Sequence, residues 1–112
     1  MNVPGTRSPK NSTVLAGSAR RTLDAVATAL KSTELGGSKF LIEGHADPRG
    51  NAEANLRLSE GRAAEVRRYL VDVHHLPPRR LNSIGKGDRE LMNSIDIAAP
   101  ENRRVTIVNV SN

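Results

Sequence analysis

Glu43-Gly44-His45-Ala46-Asp47-Pro48-Arg49-Gly50 and, beginning five residues on, Asn55-Leu56-Arg57-Leu58-Ser59-Glu60-Gly61-Arg62-Ala63-Ala64-Glu65-Val66 decide how this chain is read. The first stretch puts Asp, Pro and Gly at the first, second and fourth positions of residues 47–50, where a type I turn prefers them. The chain is therefore expected to reverse there. In the second stretch and beyond it, Leu58, Ala63, Val66, Leu70 and Val73 keep near-helical spacing, which predicts a long helix reaching about Val73. Gly61 costs about 1 kcal/mol relative to Ala inside a helix, so Ser59-Glu60-Gly61 is where an interruption is expected. His74-His75-Leu76-Pro77-Pro78 ends the helix, because proline cannot continue it.

Upstream, Leu23, Val26, Ala27 and Leu30 fall at i, i+3, i+4 and i+7, the stripe a helix needs to cover a core, and predict a helix over residues 18–31. Glu34-Leu35-Gly36-Gly37-Ser38 breaks it, and residues 39–43 read as a strand with Phe40 and Ile42 on one face. Downstream, residues 81–85 form a candidate short strand and residues 87–102 a long polar connection. Residues 104–110 form the last strand, with Val105 and Ile107 on one face. Helices alternating with strands indicate a two-layer α/β domain. Residues 1–12, with two prolines and mostly polar or basic side chains, read as a flexible leader, leaving 13–112 as the folded domain.

A chain of 112 residues, 37% hydrophobic, has the size of one domain, with a core built from Leu, Ile, Val and Ala because Phe40 and Tyr69 are its only aromatics. The +5 formal charge is spread along the sequence and names no partner by itself. Without cysteine, neither a disulfide framework nor a thiolate zinc site is available. Residues 1–12 hold no apolar stretch of signal-peptide length, so an exported protein would carry its targeting segment outside these residues.

The two opening stretches resemble the signature of the OmpA-like C-terminal domain family: a Gly-His-Thr/Ala-Asp turn followed by Asn-x-x-Leu-Ser-x-x-Arg-Ala-x-x-Val. Ala46 stands at the Thr/Ala position of that turn. Asn102-Arg103-Arg104-Val105 resembles the family's entry into its last strand. The resemblance implies a two-layer β-α-β-α-β fold with helices on a small mixed sheet. It also implies a periplasmic, outer-membrane-associated location and non-covalent binding of the diaminopimelate in the peptide stem of peptidoglycan. Two departures stand out. The family's aromatic-rich first strand has no counterpart ahead of Asn11-Ser12, so that strand is expected to be degraded or missing, and Lys86 replaces a common aromatic after Gly85.

By the resemblance, Asp47 and Arg62 grip the ligand, with Ala46, Asn55 and Arg104 as further contacts and neither cofactor nor metal. The chemistry fits those residue types. The free end of diaminopimelate carries an ammonium and a carboxylate on one carbon; Arg offers a planar fork to the carboxylate and Asp accepts from the ammonium. Asn55 lies seven positions, two helical turns, before Arg62 and so on the same face. Each residue also has a plainer reading. Asp47 serves as a turn former, Arg62 as a solvated helix arginine or a salt-bridge partner of Asp47 or Glu65, Asn55 as a cap or brace of the helix start. Alternation leaves open which of Arg103 and Arg104 faces outward, and Asn102 is equally ambiguous.

His45, with His74 and His75, invites a metal reading, but adjacent histidines do not easily share one tetrahedral site and no His-Glu-x-x-His spacing is present. His45 reads better as a packed or hydrogen-bonded structural residue. Ser59, His45 and Asp47 lack the Gly-x-Ser-x-Gly elbow of a hydrolase, so an enzyme is not expected. Nucleic-acid binding is suggested by the pairs Arg20-Arg21, Arg67-Arg68, Arg79-Arg80 and Arg103-Arg104. These form no single stripe and have no stacking platform among them. An envelope protein-interaction adaptor is the remaining rival and coexists with wall binding; any membrane attachment would come from segments outside this chain.

Overall fold

The structure, a computed structural model, describes residues 17–32, 37–46, 51–87 and 104–110. Its first helix, α1 (Gly17–Leu30), presents the expected stripe to the core, with Leu23, Ala27 and Leu30 fully buried and Val26 nearly so. Strand β1 (Phe40–His45) follows, then helix α2 (Ala52–Asp72), a 3-10 turn (Pro78–Arg80), β2 (Leu81–Gly87) and β3 (Val105–Asn109). The sheet order is β2-β1-β3, with β1 and β2 parallel and β1 and β3 antiparallel. This is the two-layer α/β arrangement of helices on a small mixed sheet. Phe40 and Ile42 of β1, Val105 and Ile107 of β3, the α1 stripe, and Ala63, Val66 and Leu70 of α2 form one apolar cluster.

α2 begins at Asn51, whose side chain accepts a hydrogen bond from the Ala54 N–H at 3.1 Å, and Glu53 adds a negative charge to the first turn. The helix then runs without interruption through Ser59-Glu60-Gly61, contrary to the break expected there. Packing against the sheet outweighs the roughly 1 kcal/mol propensity cost of Gly61. Its end is marked by His75 in the left-handed region, φ 58°, and by the Leu76 N–H donating to the Leu70 carbonyl at 3.2 Å.

Both parallel strands run two residues further than expected, to His45 and Gly87. Glycines 44 and 85 do not end them. They are register partners directly beneath α2, and a Cβ on Gly85 would sit 2.6 Å from the Glu60 nitrogen and 2.7 Å from Ser59 Oγ. A Cβ on Gly44 would collide with the Ser59 carbonyl. The paired glycines thus let the helix backbone rest on the sheet.

Arg80 binds the α1 end of the domain together. Its Nε donates to the Ser38 carbonyl at 2.8 Å and its Nη2 to the Leu30 carbonyl at 3.0 Å, while the guanidinium lies 5.6 Å from the Phe40 ring centre. α1 has no basic residue in its last turn; Arg80 supplies both the donor and the positive charge that a helix C-terminus favours. The leader, the expected first strand, the turn at residues 47–50 and most of the polar connection lie outside the described residues.

Candidate functional site

The buried face of α2 changes character along its length. Ala63, Val66 and Leu70 are apolar, whereas Asn55, Ser59 and Arg62, toward the N-terminus, are polar. Arg62 is only 2% exposed and Asn55 6%, so the sequence's placement of both on one face holds and that face points inward. Arg62 is therefore not a solvated helix arginine. Helical side chains lean toward their own helix's N-terminus, which directs the Arg62 stem back toward Ser59.

Ser59 is where this polar face meets the sheet. Its hydroxyl donates to the Leu56 carbonyl at 2.8 Å and accepts from the Gly87 N–H at 2.9 Å. The Gly87 carbonyl in turn accepts from the Ala46 N–H at 2.7 Å. On the other side of β1, the His45 N–H donates to the Arg104 carbonyl at 2.7 Å. The Ser59 hydroxyl and the backbone of His45, Ala46, Gly87 and Arg104 are thus linked by hydrogen bonds at the carboxyl end of β1, where the register shifts between Gly44 and His45 and Gly87 takes φ 59°. Ala46 is buried and Arg104 half-buried. Asp47 lies outside the described residues, one position beyond the fixed Ala46.

Asn55 does not cap α2; Asn51 does, and the Asn55 N–H closes the first turn onto the Asn51 carbonyl at 2.9 Å. Asn51 and Ser59 were both missed at the sequence level. Asn is a preferred cap three residues ahead of the first free N–H groups, so Asn51 had a local signal; the sheet contact of Ser59 spans 28 positions and had none.

His45 is fully buried, its Nε2 3.4 Å from Glu43 Oε1, while Glu43 Oε2 lies 3.8 Å from Lys86 Nζ. His74 is engaged elsewhere, 2.7 Å from Asp24 Oδ1, an oxygen that also accepts from the Tyr69 hydroxyl at 2.6 Å. These contacts hold the Asp24 carboxyl below the usual aspartate range, the Tyr69 hydrogen bond first and His74 second, and the same bond raises the Tyr69 hydroxyl. Among the described residues no three His, Asp or Glu side chains cluster as metal ligands would.

Three arginines of the sequence pairs have partners within the described residues. Arg67 donates to the Leu81 and Pro78 carbonyls at 2.9 and 3.1 Å, Arg68 pairs with Glu65 at 2.6 Å, and Arg80 closes α1. Two of these cations, Arg67 and Arg80, serve backbone carbonyls of the domain itself. Among the described residues no helix is long and apolar enough to cross a membrane.

The fold has counterparts. The chain is 37% identical over 91 residues to the peptidoglycan-associated lipoprotein of Pseudomonas aeruginosa, covering 80% of this chain and 52% of that protein; it thus spans about half the length of that relative. The crystal structure of the peptidoglycan-associated lipoprotein from Burkholderia pseudomallei superposes with a TM-score of 0.78 at 25% identity, covering 92% of this chain and 86% of the other. The cell wall anchor of the T6SS from Pseudomonas aeruginosa gives 0.72 at 26% identity, covering 89% and 71%. With the OmpA family pattern matched over residues 9–104, most of its length, this chain belongs to the OmpA family.

Proposed function

We propose that this chain anchors non-covalently to peptidoglycan by holding the diaminopimelate of the peptide stem between Asp47 and Arg62. The observation that carries the reading is the burial of Arg62 at the polar end of α2. A guanidinium is withdrawn from water only where negative or accepting groups compensate it; Arg62 has partners within the domain, and a ligand carboxylate would add to them. Ala46, Asn55 and Arg104 border the same end of the sheet, and Asp47 follows Ala46 directly. In open α/β folds, ligands bind outside the carboxyl ends of parallel strands, which here are His45 and Gly87. The similar proteins described as peptidoglycan-associated and as a cell wall anchor support the same target.

The site is one of recognition and not catalysis: Ser59, the only hydroxyl argued as a nucleophile, has its oxygen committed to Leu56 and Gly87. Location in the periplasm follows from the ligand. Pull-down on purified peptidoglycan sacculi, with DNA-cellulose in parallel, tests the reading. Wild type is retained by sacculi and not by DNA; Asp47→Ala and Arg62→Ala lose retention while keeping their circular dichroism, since removing one partner of a buried charge pair costs ~2–5 kcal/mol in binding. Unchanged retention of both folded variants would remove the site, and retention on DNA alone would remove the function.

A further inference from the structure

Ser59 makes two hydrogen bonds that no apolar side chain of its size reproduces: one, to the Leu56 carbonyl, orients its hydroxyl within α2, and the other, from the Gly87 N–H, ties α2 to the end of β2. It is fully buried, it stands one helical turn before Arg62, and its oxygen receives the N–H of Gly87, the residue whose carbonyl holds Ala46. Around it the packing leaves little slack, because Gly44 and Gly85 lie against the backbone of residues 59 and 60. The Arg62-bearing helix and the Ala46 end of β1 are therefore tied, by way of Gly87, through one hydroxyl. We infer that Ser59 is the positioning residue of the ligand site, fixing the distance between the helix that carries Arg62 and the paired ends of β1 and β2, from which the chain continues to the proposed acid. This rests on the proposed diaminopimelate reading.

The physical consequence concerns discrimination. A site that reads an ammonium and a carboxylate on one carbon depends on the spacing of its two counter-charges, whereas a ligand with the ammonium alone uses only one of them. Without the Ser59 oxygen the Gly87 N–H is deprived of its buried acceptor, and the end of β2 shifts or admits water to satisfy it. The spacing then loosens. Removing the support beneath a site degrades the geometry above it, even when the residues that touch the ligand are intact.

Calorimetric titration with matched diaminopimelate and lysine stem peptides tests this on wild type, Ser59→Ala, Ser59→Cys and Val66→Ala. Val66→Ala removes buried volume from the same face of α2, so it lowers stability without touching the Ser59 bonds. Ser59→Ala is expected to weaken diaminopimelate peptide binding by about tenfold, to change lysine peptide binding much less, and to speed hydrogen exchange at the Gly87 amide. Ser59→Cys, a weaker donor and acceptor, falls between. Val66→Ala, in its folded fraction, keeps the wild-type ratio of the two affinities. The inference fails if Ser59→Ala retains that ratio, or if Val66→Ala narrows it equally, which would make Ser59 only structural. If wild type binds neither peptide, the proposed function falls and this role with it; wild-type binding with an unaltered Ser59→Ala ratio overturns the positioning role alone.

Discussion

Gly44 of β1 lies against the main chain of Ser59 so closely that no side chain fits between the strand and α2. The two residues are the point of contact that sets how deep the helix sits, and with it the height of Asn55 and Arg62 above the sheet end. Gly44→Ala is accordingly expected to destabilise the fold by about 3 kcal/mol, the upper range for overpacking, because the obstructing atoms are backbone and cannot rotate away. Urea denaturation measures it; a midpoint within error of wild type would mean that the helix rides higher than the structure has it.

Arg80 carries the second structural prediction. Arg80→Ala removes charged donors from the Leu30 and Ser38 carbonyls and is expected to cost about 1.5–3 kcal/mol. Arg80→Lys should recover only part, since one ammonium cannot copy a planar fork reaching two carbonyls from two elements. Equal stability of the Lys variant and wild type would show that charge at the α1 terminus is all that matters.

The junction of α1 with the end of α2 gives a pH dependence. Asp24 titrates below its ordinary value when folded, so the folded state binds its proton less readily than the unfolded chain does. Its stabilising contribution is therefore present above the unfolded carboxylate pKa, about 3.9, and is lost as pH falls through the depressed folded value. Asp24→Asn should narrow the stability gap between neutral and acid solution. In Tyr69→Phe the largest cause of the shift is gone, and a carbon-detected NMR titration of Asp24 should move upward toward the ordinary range. An unmoved midpoint would transfer the effect to His74.

What the sequence made legible follows from what is local. The stripe Leu23, Val26, Ala27 and Leu30 and the alternation at Phe40/Ile42 and Val105/Ile107 depend on neighbours in sequence, and each was found buried. Arg80 was invisible as a structural residue because its carbonyl partner on Leu30 is 50 positions away, and next to Arg79 it looked like solvated charge. Nothing local marked Gly44 and Gly85 as packing residues, because what they admit is the approach of a helix from another part of the chain. For the site, the seven-residue spacing put Asn55 and Arg62 on one face, but only the fold decides whether a face looks inward. The roles of Asp47 and Arg62 came from the family signature, since no single-residue property distinguishes a ligand-reading arginine from an ordinary one.

Selectivity between wall types tests Arg62 most directly. Diaminopimelate and lysine both present an ammonium at the end of the stem side chain, so Asp47 has the same partner in either complex. Only diaminopimelate sets a carboxylate beside it. With the lysine stem, Arg62 would lack the charge-assisted pair that the ligand carboxylate adds to its partners within the domain, and a hydrogen bond to a charged group is worth ~1.5–3 kcal/mol. Wild type should therefore prefer the diaminopimelate stem by at least about tenfold. Arg62→Ala should lose discrimination as well as affinity, and Arg62→Lys should retain a positive charge but lose most of the preference, because an ammonium does not bind a carboxylate through two parallel bonds. Calorimetric titration of the three proteins with both stem peptides decides the matter: equal wild-type affinities would mean that the buried guanidinium braces α2 and that another group, or none, reads the carboxylate.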